Sequence, residues 1–199
     1  MKIYDITQEL FSCKVYPGDP KPERKILNAT EKGDLYNLTA LSMCAHNGTH
    51  VDAPFHFLPQ GKTVEQLPLE TFVGECYVAR WDGEVTAEGA RQILDKANGA
   101  KRLLIAGNAT VTLPAAEVFA ASGICLLGNE SQTVGPEDGP MPVHLCLLEK
   151  EIVLLEGIVL TDVPEGRYLL NAAPLNLSGA DGAPCRAWLI PVEKNGGVL

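Results

Sequence analysis

"HNGTHVDAPFH" (residues 46–56) holds three of the chain's four histidines and an aspartate. Gly48 and Pro54 disfavour a helix here, while Thr49 and Val51 favour extended backbone. Alternate residues of a strand share a face. His46, Gly48, His50 and Asp52 are therefore expected to point one way, and Val51 into the core. Two imidazoles and a carboxylate then converge, with Gly48 leaving room between them for an ion or a substrate. Donors of this kind suit Zn, Mn or Fe. A lone histidine is more often a surface or hydrogen-bonded core residue. Three of them with an aspartate in this pattern point to a site.

The fourth histidine, His144, precedes Glu156 by twelve residues. Glu156 sits inside "IVLLEGIVL" (152–160), where an ionised carboxylate is costly unless it is paired or bound to a metal. Its neighbours on both sides are apolar, as in a strand buried on two faces. His46, His50, Asp52, His144 and Glu156 exceed what one tetrahedral ion with an open position needs. Two ions bridged by Asp52 use all five. His56, beyond Pro54, is left as a free imidazole suited to general acid/base work.

Working outward, residues 1–7, 34–45, 74–81, 102–107, 124–128, 152–160 and the final "RAWLIPV" read as strands. Thr86 caps a helix whose apolar positions are Ala90, Ile93, Leu94 and Ala97, ended by Asn98-Gly99. Residues 112–123 form a second helix, with Thr as cap, Pro in the first turn and Gly as stop. Residues 143–151 form a third. The stretches "VYPGDPKPE" and "NESQTVGPEDGPMP" read as loops. Strands alternate with helices in the middle of the chain, and the ends are strand-rich. The expectation is one α/β domain over residues 1–199 with a mixed sheet.

The chain has 199 residues, 46% of them apolar, enough for one sizeable core. A formal charge of −9 argues against nucleic acid or an anionic membrane as partner. No apolar run is long enough for a transmembrane helix, and "MKIYDITQEL" lacks a signal-peptide core. The six cysteines are scattered without a C-x-x-C pair, which fits reduced thiols in the cytoplasm.

The eleven-residue stretch resembles the H-x-G-T-H-x-D-x-P-x-H signature of the cyclase family of metal-dependent hydrolases, which includes the bacterial kynurenine formamidases. "YPGDP" (16–20), "VHLCLLEKEIVLLEGIVL" (143–160) and "PLNLSGADGAPCRAWLI" (174–190) extend the resemblance nearly end to end. It implies a compact α/β fold of the swivelling β/β/α type, with a mixed, barrel-like sheet flanked by helices. His46, His50 and Asp52 would hold one divalent ion, and Asp52, His144 and Glu156 a second, Zn2+ or Mn2+. His56 would be the proton donor and acceptor. The reaction implied is hydrolysis of N-formylkynurenine or a related small amide by a homodimer or homotetramer. Tyr16 stands where the formamidases carry a substrate-contacting Trp, and loop 128–138 also departs from their pattern. Both changes leave room for another cyclic amide, imide or lactone as substrate.

Two other classes fit part of the pattern. His50-x-Asp52 with His144 spells the triad of non-haem iron oxygenases, but leaves His46 and Glu156 without a role. A non-catalytic metal-binding protein leaves His56 without one.

Overall fold

The computed structural model describes residues 2–192. Its strands, in chain order, are β1 (Tyr4–Asp5), β2 (Glu23–Asn28), β3 (Leu38–Ser42), β4 (His50–Asp52), β5 (Val73–Arg80), β6 (Gly83–Val85), β7 (Arg102–Ala106), β8 (Ala109–Val111), β9 (Leu126–Asn129), β10 (Val153–Glu156), β11 (Gly166–Asn171), β12 (Gly182–Pro184) and β13 (Trp188–Pro191). The helices are α1 (Ala87–Ala97), α2 (Leu113–Ser122) and α3 (Met141–Leu148).

Nine strands form one mixed half-barrel sheet in the order β1-β13-β11-β5-β7-β9-β10-β4-β12. Its centre, β5-β7-β9-β10, is parallel, and its flanks are antiparallel. Parallel neighbours need crossovers, and the helices supply them. Thr86 caps α1 by accepting from Gly89 N, and Asn98 ends it in the left-handed region. Thr112 caps α2, and Gly123 ends it at φ +78°.

The central strands are buried on both faces, so each contributes to two cores. Cys76, Val78, Leu104, Leu126, Val153 and Leu155 face one core. Tyr77, Ala79, Leu103, Ile105, Leu127 and Leu154 face the other, beneath α1, α2 and α3 with Phe119 and Leu147. This parity fixes the site. Pairing of β10 with β4 sets Glu156 opposite His50, Leu155 opposite Val51 and Leu154 opposite Asp52. Val51 joins the first core with Leu155. His50, Asp52 and Glu156 therefore share the helix-bearing face, where α3 delivers His144.

The structure corrects several expectations. Strand 152–160 stops at Glu156, because Gly157 turns the chain at φ +66°. The third helix ends at Leu148, and Glu151 adopts φ +55°. The first strand is two residues long, and strand 34–45 contracts to β3. The quoted motif is a strand only at His50–Asp52; His46–Thr49 is a turn, and Pro54–His56 is one turn of 3-10 helix. Five strands, β2, β6, β8, β11 and β12, were not anticipated. β2 is almost wholly exposed and carries no burial pattern, and β11 lies in a stretch given no element above.

Candidate active site

The donors are gathered from four places. His50 and Asp52 come from β4, Glu156 from the end of β10, and His144 from α3. All four are almost fully buried. His46, from the turn before β4, reaches back to place Nδ1 2.8 Å from Asp52 Oδ1. His56 ends the 3-10 turn, at the mouth of a cleft of about 300 Å³ that all six residues line. The structure thus brings together every candidate ligand named from the sequence.

Gly48 does not open space between the imidazoles as expected. It sits at φ +67°, and a Cβ there would meet Cys13 Cβ at 3.4 Å, on the side away from the histidines. Its role is to make the turn that lets His46 and His50 approach one aspartate from different directions. Its carbonyl also accepts from His50 Nδ1 at 2.9 Å.

That bond decides the chemistry of His50. A carbonyl only accepts, so Nδ1 carries the hydrogen, and a neutral ring presents its Nε2 lone pair. His144 is set the same way, donating Nδ1–H to Pro140 O at 2.9 Å. Both Nε2 atoms face carboxylate oxygens. His50 Nε2 lies 3.5 Å from Asp52 Oδ1 and 3.6 Å from Glu156 Oε2. His144 Nε2 lies 3.4 Å from Asp52 Oδ2 and 3.3 Å from Glu156 Oε1. A lone pair facing an anion is repulsive unless a cation or a proton lies between. Ligand atoms about 2.0–2.2 Å from a tetrahedral ion lie roughly 3.3–3.6 Å apart. The donor set fits a divalent metal by type, tautomer and spacing.

Donor atoms cluster around Asp52 in two groups, His46 with Asp52 and His56, and His50 with Asp52 and Glu156. Asp52 is common to both, as a bridging role requires. His50 and His144 each face both Asp52 and Glu156.

Without metal, protons take the cation's place. Burial opposes a charge on His46, but the Asp181 and Asp52 carboxylates outweigh it, and its pKa is raised to about 11. Burial likewise opposes a charge on His144, yet Asp52 and Glu156 raise its pKa to about 10. Burial alone would raise Asp52; hydrogen bonds from His144 and His46 hold it well below the usual carboxylate range.

Loop 128–138 is fastened to this site. Val134 N donates to Glu156 Oε1 at 2.7 Å, and Gly157 N donates to Ser131 O. Gln132 and Thr133 line the cleft, and among the described residues Gln132 Oε1 and Thr133 Oγ1 have no hydrogen-bond partner. Tyr16 also lines the cleft. Its hydroxyl donates to Glu137 O at 2.9 Å, so its ring is the part left to meet a ligand.

Asp181 was missed by sequence reasoning. Its Oδ2 lies 2.8 Å from His46 Nε2 and 3.1 Å from His56 Nδ1. The available signal was Asp181-Gly182 within "SGADGAP", an acidic residue beside a glycine in a polar loop, which reads equally as an ordinary turn.

A family model described as "Putative cyclase" matches residues 4–103. A kynurenine formamidase from Salinibacter ruber is 36% identical, over 95% of this chain and 97% of its own length. The chain belongs to the cyclase family. A solved cyclase-family fold described as a potential metal-dependent hydrolase with cyclase activity is 29% identical, with a TM-score of 0.80 over 94% of this chain and 96% of its own. Isatin hydrolase A from Labrenzia aggregata, at 22% identity, has a TM-score of 0.81 over 94% of this chain and 93% of its own, a likeness of fold. The cyclase-family assignment agrees with the fold and the donor set reached above.

Proposed function

We propose that the chain is a metal-dependent amide hydrolase of the arylformamidase type, cleaving N-formylkynurenine or a closely related aryl formamide to formate and the aryl amine. The observation that carries this reading is the pair of neutral-set imidazoles, His50 and His144, aimed at two buried carboxylates beside a histidine that lines the cleft. Kynurenine formamidase relatives at 31–36% identity over nearly the whole chain support the same class.

His46, His50, Asp52, His144 and Glu156 would hold two divalent ions, zinc or manganese. Such ions act as Lewis acids and lower the pKa of a water they bind. The chain's own part is to position and to move protons. Asp52 and Glu156 keep the donor cage closed on the core side. His56 stands at the mouth, where it assists deprotonation of the attacking water and then protonates the leaving nitrogen. Phe57, Pro140 and the Tyr16 ring give the cleft an apolar wall for an aryl group.

Six free cysteines fit a reducing cytoplasm. Among the described residues, no helix is long and apolar enough to cross a membrane. The β2–β3 hairpin exposes Ile26, Leu27, Leu38 and Leu41, with Leu35 97% exposed. An isolated two-stranded ribbon is marginal in water, and we assign this surface to contact with a second copy in a homodimer or homotetramer.

The test is metal content per chain by elemental analysis, paired with hydrolysis of N-formylkynurenine. About two equivalents with turnover is the expected result. Two equivalents without turnover moves the substrate to a cyclic amide, imide or lactone. No metal, even after reconstitution, refutes the reading.

A further inference from the structure

Two imidazole rings hang from one carboxylate oxygen at the cleft mouth. Asp181 Oδ2 lies 2.8 Å from His46 Nε2 and 3.1 Å from His56 Nδ1. The two rings lie 4.1 Å apart, tilted by 35°. An ionised carboxylate accepts and never donates. Both contacting nitrogens therefore carry their hydrogens. The opposite nitrogens differ in their surroundings. His46 Nδ1 faces Asp52, and His56 Nε2 has no hydrogen-bond partner among the described residues.

The placement of Asp181 is built into the sheet. β12 pairs with β4, setting Gly182 opposite Asp52. Ala53 N donates to Asp181 O at 2.9 Å, and His56 N donates to Ala53 O at 2.9 Å. The backbone thus ties Asp181 to the segment that carries His56. Gly182 completes the arrangement. A Cβ there would lie 2.7 Å from His46 Cε1, so only a glycine lets the ring lie against this backbone.

We propose that Asp181 is the positioning residue of this site. It holds His56 with hydrogen on Nδ1, so that Nε2 is the atom that takes and returns the proton. It also anchors His46 through Nε2, which fixes the ring with Nδ1 turned to Asp52. The proposal rests on the hydrolase reading for the work it assigns to His56. The tautomers it assigns stand independently of the substrate.

The test uses the zinc-loaded full chain with 15N-labelled histidine, comparing the native protein with Asp181→Ala and Asp181→Asn. Long-range proton–nitrogen spectra report which nitrogen of each ring carries hydrogen. The native chain should show His56 protonated at Nδ1 and bare at Nε2. Asp181→Ala should lose that preference and lower kcat at least about 10-fold at full metal content, the usual scale for losing a partner of this kind. KM should change by less than about 3-fold, because the group removed acts on the proton step rather than on substrate binding. Asp181→Asn keeps an oxygen acceptor and should recover part of both. Unchanged His56 signals with kcat within about 2-fold would overturn the proposal. Full recovery of kcat on refilling lost metal would overturn its His56 half. A native chain that cleaves no formamide would sink the substrate reading alone, since the tautomer signals are read without turnover.

Discussion

Gly182→Ala should disturb the site through space alone. Gly182 is not at positive φ, so an alanine is allowed by the backbone. The added Cβ would lie 2.6 Å from Val51 O and 2.7 Å from His46 Cε1. Carbon contacts are comfortable at about 3.5–4.0 Å. Something must move by most of an ångström. Val51 cannot, because β4 is paired with β10 on one side and β12 on the other. The His46 ring must give way and surrender its bonds to Asp52 and Asp181. Overpacking of this kind costs about 1–3 kcal/mol. Disturbing a metal ligand's orientation costs about 10–100-fold in affinity. Urea unfolding of the metal-free chain reads the first figure, and competition with a chelator reads the second. Gly179→Ala is the control. It lies at φ +74° with nothing within 4 Å of a Cβ, so it should cost about 1–2 kcal/mol of backbone strain and leave metal affinity unchanged. If Gly182→Ala melts within about 0.5 kcal/mol of native with native metal affinity, the steric argument fails.

Glu156→Gln preserves the oxygen that accepts from Val134 N while removing the charge facing His50 and His144. It should fold and bind at least one metal equivalent fewer by elemental analysis; retention of both equivalents would remove Glu156 from the ligand set. Phe119→Ala, in α2 and fully buried against the helix-side core, should lower stability by about 3–5 kcal/mol in denaturant melts. Activity per folded molecule should not change. Ile26→Glu with Leu41→Glu, on the exposed hairpin, should shift the sedimenting species to monomer without lowering thermal stability of the fold. An unchanged oligomer would place the interface elsewhere.

The elements legible in the sequence were those whose own burial writes the pattern. α1 and α2 announce themselves by cap, period and stop, and each begins and ends within about a residue of expectation. The apolar runs at 102–107 and 124–128 are strands because both of their faces meet a core. β2 gave no signal because nearly every residue in it is exposed, and β11 was lost among turn residues. The histidine motif was read as one extended face. The residues it named do converge in the fold, but by another route, since a strand covers only His50–Asp52.

The sequence by itself determined which donor types the cleft would gather. The residue types and spacing of 46–56, with His144 and a glutamate in an apolar run, suffice to name the donors, because a buried charge needs a partner wherever it lies. What only the tertiary structure decided is which atoms face which. Strand register puts Glu156 beside His50, the turn at Gly48 swings His46 onto Asp52, and an edge strand more than a hundred residues away delivers Asp181. Which nitrogen faces which carboxylate follows from contacts between segments distant in sequence, and local periodicity carries no information about those.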